Sequence, residues 1–307
     1  MYASVVFYQI VIMLILAGIG VIYQKVHPLS SRDMSSVSRI VAMVLSSGLI
    51  LSGAAQDYSG LSTRNCIIAA VVGFSTYLLL MLVGYALGCL LSRQRERRLI
   101  YSMLCAFGNV GFFGIPVVNA VYSPEAAIYM YFFIIPCNIC SYTLGYMFLS
   151  SLHDGSLHLQ PRRLINPGFF ATVVVCVMFL LGLQLPPLLC QITDYLTTAS
   201  TPMAMFVVGV ALCNTKWRTA LTDVRMLLFC LIRQLVIPLL AGLVLRLVIT
   251  DPALLGISII MLSVPVGNAT ILLADTAGVE SAPGPEVVSI TTVASLFTIP
   301  LILSILL

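Results

Sequence analysis

Ten stretches of this sequence are apolar for about as long as a bilayer-spanning helix needs, roughly 20 residues. They run over 3–23, 38–56, 65–91, 100–122, 124–150, 167–185, 190–213, 226–250, 252–277 and 286–307. No soluble fold can bury ten such blocks in one core. Composition agrees: of 307 residues 60% are hydrophobic and 8% charged, against about 25% charged in a soluble domain. The expectation is an all-α polytopic membrane protein with ten transmembrane helices. The net charge of +4 is carried in loops, so there is no basic face for nucleic acid. The nine cysteines fall almost entirely within apolar blocks, Cys137 and Cys140 among them, and read as small packing residues. The first block has no basic stretch before it and no small-residue cleavage site, and reads as a retained span.

Charge sorts the connections. Lys25, Arg32 and Arg39 lie in the first, Arg93, Arg95, Arg97 and Arg98 in the third, Arg162 and Arg163 in the fifth, and Lys216, Arg218 and Arg225 in the seventh. The even connections hold only Arg64. By the positive-inside rule the odd connections are cytoplasmic and both termini extracytoplasmic, in a multi-pass protein of the cell membrane.

The two halves share a motif. The fourth block contains Gly108-Asn109-Val110-Gly111-Phe112-Phe113-Gly114-Ile115-Pro116-Val117-Val118-Asn119-Ala120, and the ninth Ser263-Val264-Pro265-Val266-Gly267-Asn268-Ala269-Thr270. Each includes Pro-Val-x-Asn-Ala, and Pro116 and Pro265 lie 149 residues apart, close to half the chain. A Pro-Glu pair follows each, Pro124-Glu125 and Pro285-Glu286, and is expected to open the next helix. Five spans per half is an odd number, so the second half must be inverted, the pattern of carriers with a midplane site. Residues 1–150 form the first five-helix repeat, 151–166 a cytoplasmic linker and 167–307 the second repeat. Proline removes a donor and clashes with the preceding turn, and backbone freed at membrane depth survives only where it lines a cavity. New helix N-termini near Pro116 and Pro265 would suit an anion, with Asn119 and Asn268 in the first turns adding donors.

The run Gly114-Ile115-Pro116 after Asn109 resembles the fourth-span signature of the auxin efflux carrier family. Thr201-Pro202-Met203-Ala204 with Gly209, Arg233 with Pro238, Pro265 to Asn268, Leu273-Ala274 and Thr298-Ile299-Pro300-Leu301 extend the resemblance along the chain. It implies a ten-helix fold of two inverted five-helix repeats, similar to bile acid:sodium symporters, whose broken fourth and ninth helices cross at the substrate site. It also implies a scaffold of helices 1, 2, 6 and 7, a transport domain of helices 3–5 and 8–10, and a homodimer exporting organic anions. Two features depart from the family: the centre of the second span is Ser46-Ser47-Gly48 rather than a proline, and the linker spans only about 16 residues. The short form points away from auxin as the native substrate.

Ionisable residues inside spans are candidates for function. Arg233, about 10 Å into the eighth span, either attracts a carboxylate, pairs with Asp275 or snorkels to the interface. Asp275 is a candidate for proton coupling. Asn138 can line the site or pack between helices. The substrate-binding set is therefore Asn109, Gly111, Gly114, Pro116, Asn119, Asn138, Pro265, Gly267, Asn268 and Arg233, with no metal and no cofactor; the coupling ion, if any, is a proton or sodium. A phosphate-binding GxxxxGK[ST] loop is absent, so ATP does not drive this chain. An intramembrane protease would need two mid-span aspartates or a mid-span histidine. Only Asp275 comes close, and His27, His153 and His158 are in loops. The reading is a non-enzymatic secondary carrier of small organic anions. The alternatives are a sodium-coupled symporter of the bile-acid type and a channel or sensor of the same fold.

Overall fold

A computed structural model describes residues 2–56, 62–123, 125–154, 166–280 and 282–307. The side chains of Tyr2, Ala3, Ser31, His153, Asp154, Ala269, Asp275 and Thr276 are not described. The described chain is helical, with no strand longer than an isolated bridge. Its helices are α1 Tyr2–Val26, α2 Arg32–Ala55, α3 Thr63–Leu91, α4 Arg95–Ala106, α5 Val110–Val121, α6 Ile128–Leu152 and α7 Pro167–Leu181. They continue with α8 Pro187–Asn214, α9 Trp217–Thr222, α10 Val224–Val248, α11 Pro252–Ser263, α12 Ala269–Thr276 and α13 Gly284–Leu306. Among the described residues, seven helices (α1, α2, α3, α6, α8, α10 and α13) are long and apolar enough to cross a membrane.

Helix ends follow local chemistry. Ser30 and Asp33 form a reciprocal capping box at the start of the α2 rod: the Asp33 N–H donates to Ser30 Oγ at 3.2 Å and the Ser30 N–H to Asp33 Oδ2 at 3.1 Å. Asn166 and Asp251 cap α7 and α11, each followed by a first-turn proline. Gly182 closes α7 in the left-handed conformation at φ 63°. Pro285 sits in the first turn of α13 as expected; Pro124 lies outside the described residues, and α6 begins at Ile128.

The outer faces are apolar. Leu247 is 86% exposed and Leu90 82%, positions that only a lipid environment makes favourable on a chain this rich in apolar residues. Where hydrocarbon surrounds helices, small residues decide which of them pack closely. Thus α1 lies along α8 with Gly209 against the Ala17 carbonyl, a contact that leaves no room for a side chain. α8 also packs on α2, and α2 on α7. A second set joins α3 to α4 and α6, α6 to α11, and α11 to α10 and α13. Asn65 Nδ2, at the start of α3, ties that set at one end by donating to Asp251 Oδ2 at 2.9 Å and to the Tyr129 hydroxyl at 3.3 Å.

Two apolar blocks are interrupted. The fourth stops at Ala106 and resumes at Val110; the ninth stops at Ser263 and resumes at Ala269. The first interruption is not where proline predicted it. Pro116 lies inside α5, buried, because a wide π turn over Val110–Gly114 precedes it, and the Ile115 N–H donates to the Val110 carbonyl. A π turn puts the extra residue where the pyrrolidine ring would otherwise collide with the preceding turn. Pro238 in α10 uses the same solution after a π turn over Ile232–Val236.

Candidate functional site

The two interruptions meet. Gly108 and Val266 form an antiparallel bridge. The Asn109 N–H donates to the Pro265 carbonyl at 2.7 Å, and the Gly267 N–H to the Phe107 carbonyl at 3.0 Å. The pair of bonds is two-fold symmetric in pattern and joins residues from opposite halves of the chain. Glycine is required on both sides. A Cβ on Gly267 would lie 3.0 Å from the Gly108 carbonyl carbon and oxygen, and one on Gly108 would lie 2.7 Å from Val264 Cγ2.

The remaining backbone groups of the second interruption are met by side chains. Gln234 Nε2 donates to the Ser263 carbonyl at 2.7 Å, and Arg233 Nη1 to the Leu262 carbonyl at 3.2 Å. Thr291 Oγ1, from α13, accepts the Val266 N–H at 3.1 Å. Carbonyls at the end of α11 would otherwise be orphaned in an apolar interior at several kcal/mol each. Arg233 and Gln234 are each 1% exposed, yet Arg233 Nε and Gln234 Oε1 have no partner among the described residues. Thr270 Oγ1, in the first turn of α12, is equally buried and has no partner among the described residues. Among the described residues no carboxylate lies within ion-pair distance of Arg233. The Tyr77 ring, from α3, stacks on Phe107 at 6.2 Å between centroids, so the first interruption is flanked by an aromatic where the second has a polar pair.

The start of α5 has donors to spare. Asn109 caps it, with Oδ1 accepting the Phe112 N–H at 3.3 Å, and the Phe113 and Gly114 N–H groups bond to the Asn109 carbonyl. No other described residue accepts from the N–H of Val110 or Gly111. A Cβ on Gly111 would meet nothing within 4 Å, so this end of the helix borders open space. Gly114 is buried against Met261 Sδ, 3.0 Å from where its Cβ would stand.

The structure thus brings Asn109, Gly111, Gly114, Pro265, Gly267 and Arg233 to one junction, and Asn268 directly precedes α12. Asn119 is not there. It is exposed in the last turn of α5, about 15 Å beyond Asn109 at 1.5 Å per residue. The matched pairs are Gly108-Asn109 and Gly267-Asn268, each just before a resumed helix, rather than the two Pro-Val-x-Asn-Ala runs. Pro116 is in α5 but does not start it. Asn138 is half-buried in α6, where its carbonyl accepts from Ser141 Oγ at 3.2 Å. Asp275 belongs to the last turn of α12 and its side chain lies outside the described residues, as do Asp57, Arg162 and Arg163. Gln234 and Thr291 are junction residues that the sequence reading missed; the signal was an amide and a hydroxyl set in apolar spans. Cys137 and Cys140 are buried free thiols. Among the described residues no three His, Cys, Asp or Glu are grouped to hold a metal ion.

None of the curated proteins matches this chain. The family described as membrane transport protein matches it over residues 5–163 and 157–303, nearly its whole length and both sides of the junction. The chain belongs to that family, the auxin efflux carrier family of membrane transporters.

Proposed function

We propose that the protein is a secondary carrier of small organic anions, exporting carboxylates by alternating access, with the substrate held at the junction of the two interrupted segments. The observation that carries this reading is the combination at one junction of a buried arginine with no carboxylate partner among the described residues, N–H groups at the start of α5 that no described residue accepts, and open space beside Gly111. Helix N-termini and guanidinium groups are the two protein devices that hold a carboxylate in a low-dielectric site.

The proposed architecture is ten membrane-crossing segments in two inverted repeats, residues 1–150 and 167–307 joined by 151–166. The pairs α4–α5 and α11–α12 each count as one broken segment, and α7 is a short tenth. Packing of α1 with α8, of α8 with α2 and of α2 with α7 supports a scaffold of those four helices. The mutual packing of α3, α4, α6, α10, α11 and α13 supports a transport domain that slides as an elevator against it. We place the protein in the cell membrane as a homodimer with both termini extracytoplasmic.

Uptake into proteoliposomes tests the function. A panel of mono- and dicarboxylates is offered with sodium and pH gradients imposed separately. Saturable uptake of an organic anion supports the carrier, non-saturating flux supports a channel, and no flux of any anion contradicts both. Dependence on the sodium gradient identifies a symporter of the bile-acid type. Asp275 is the candidate for proton coupling, and Asp275→Asn is expected to abolish any dependence on the pH gradient.

A further inference from the structure

Three helices bring their basic ends together away from the junction. Near the end of α3, Gly88 packs so closely on α4 that a Cβ there would lie 2.8 Å from Arg98 Cα. Arg98 is thereby set over the chain that leaves α3, where Nε donates to the Ser92 carbonyl and Nη2 to the Arg93 carbonyl, each at 3.0 Å. Arg225, at the start of α10, reaches the same chain end and donates from Nη1 to the Leu91 carbonyl at 3.3 Å. Tyr101 of α4 and Phe229 of α10 join these two helices, with 4.8 Å between ring centroids.

The cations at this end outnumber the acids. Arg93, Arg95, Arg97 and Arg225 are exposed. Arg95, Arg97 and Arg98 stand in the first turn of α4, at the positive end of its dipole, and Gln94 before them makes no side-chain cap bond. Two carboxylates are described beside them. Glu96 is one; Asp223 is the other, and its Oδ1 is taken by the Arg225 and Met226 N–H groups. Asp154 follows α6, whose Ser151 and Leu152 share a cavity with Gln94, Arg95 and Glu96, but its side chain lies outside the described residues. Residues 155–165 contain no acid. Even with Asp154 counted, five arginines face three carboxylates.

The surface beside the arginines is apolar. Val224, Leu228 and Leu231, at spacings i, i+4 and i+7, form one exposed stripe of α10. Leu90 of α3 is exposed next to the Leu91 carbonyl that Arg225 holds. A stripe about 10 Å long that ends in clustered guanidinium groups has the two-part chemistry of a phospholipid, with acyl chain on leucines and phosphate on arginines. A soluble anion would use only the charged half.

We propose that the arginine cluster of α3, α4 and α10, with the apolar stripe beside it, is a binding surface for an anionic phospholipid. It does not depend on what the protein carries or on which side of the membrane this end faces.

The test measures binding of fluorescent phosphatidylglycerol and phosphatidylcholine, with identical acyl chains, to purified protein in detergent. Phosphatidylglycerol is expected to bind tighter by roughly fivefold for each arginine that its headgroup meets. Arg93→Gln together with Arg97→Gln removes two exposed guanidinium groups and leaves Arg98 and Arg225 on the α3 carbonyls. That pair is expected to lower the preference roughly 25-fold. Arg32→Gln together with Arg39→Gln removes the same charge from exposed positions of α2 and is expected to leave it unchanged. Val224→Ser with Leu228→Ser is expected to weaken both lipids alike. Equal affinity for the two lipids, or the same loss in the α2 pair, would overturn the proposal. Displacement of phosphatidylglycerol by an equal concentration of inorganic phosphate would also overturn it, because charge alone would then be recognised. Unchanged affinity after the two serine substitutions would do the same.

Discussion

Gly267 faces Gly108 across the junction so closely that a methyl group added to Gly267 would lie 3.0 Å from the Gly108 carbonyl and 3.1 Å from the Asn109 nitrogen. The atoms it would meet are backbone, held by the Asn109–Pro265 and Gly267–Phe107 hydrogen bonds, and cannot swing aside as a side chain would. Gly267→Ala is therefore expected to destabilise the protein by about 1–3 kcal/mol, the cost of overpacking a rigid site. Gly111→Ala, where the added methyl group meets open space, is expected to leave stability unchanged or raise it by up to about 1 kcal/mol. Thermal unfolding of the two variants in the same detergent checks the contrast. Equal losses would mean that the junction is not tightly closed at Gly267.

Gln234 Nε2 is the partner of the Ser263 carbonyl at the end of α11. Gln234→Leu fills similar volume and leaves that carbonyl unpaired in the interior, at a cost of about 1–3 kcal/mol that is offset in part because Oε1, without a partner among the described residues, is removed with it. The fall in unfolding temperature, measured beside a substitution on the lipid-facing side of α10 such as Leu247→Ala, checks it; no greater loss than at Leu247 contradicts it.

Thr291 and Thr292 are neighbours whose hydroxyls both donate to α13 carbonyls, but only Thr291 Oγ1 also accepts the Val266 N–H. Thr291→Val is expected to cost about 1–3 kcal/mol through the orphaned N–H, and Thr292→Val clearly less. Similar unfolding temperatures for the two variants would show that the Val266 bond contributes nothing.

Much of the architecture was readable from the sequence because it is written in local terms. Helices such as Tyr2–Val26 and Thr63–Leu91 are predominantly apolar and long enough to span, and Asn166-Pro167 and Asp251-Pro252 mark helix starts by their own chemistry. The place of the first interruption was not readable. Proline at 116 is the conspicuous breaker, yet the π turn before it absorbs the ring, and the chain opens at Gly108-Asn109 instead. That choice depends on hydrogen bonds to Pro265 and Phe107 from residues more than 150 positions away in sequence. Asn119 sits away from the junction for the same reason: the helix resumes after Asn109 and not at the proline, which puts Asn119 in its last turn. Arg233 stood out as an intramembrane charge, but its anchor at Leu262 and its neighbour Gly108 are again non-local.

The central claim is that the junction holds the anion, and equilibrium binding of a labelled monocarboxylate to purified protein tests it most directly. Asn109→Ala removes the cap that accepts the Phe112 N–H and orders the start of α5, at an expected cost of about 0.5–2 kcal/mol to that helix end. The account predicts binding weakened severalfold or more in Asn109→Ala and unchanged in Asn119→Ala, whose side chain is exposed at the far end of the same helix. Binding that is unchanged in Asn109→Ala, or lost in Asn119→Ala with the protein still folded, would contradict it.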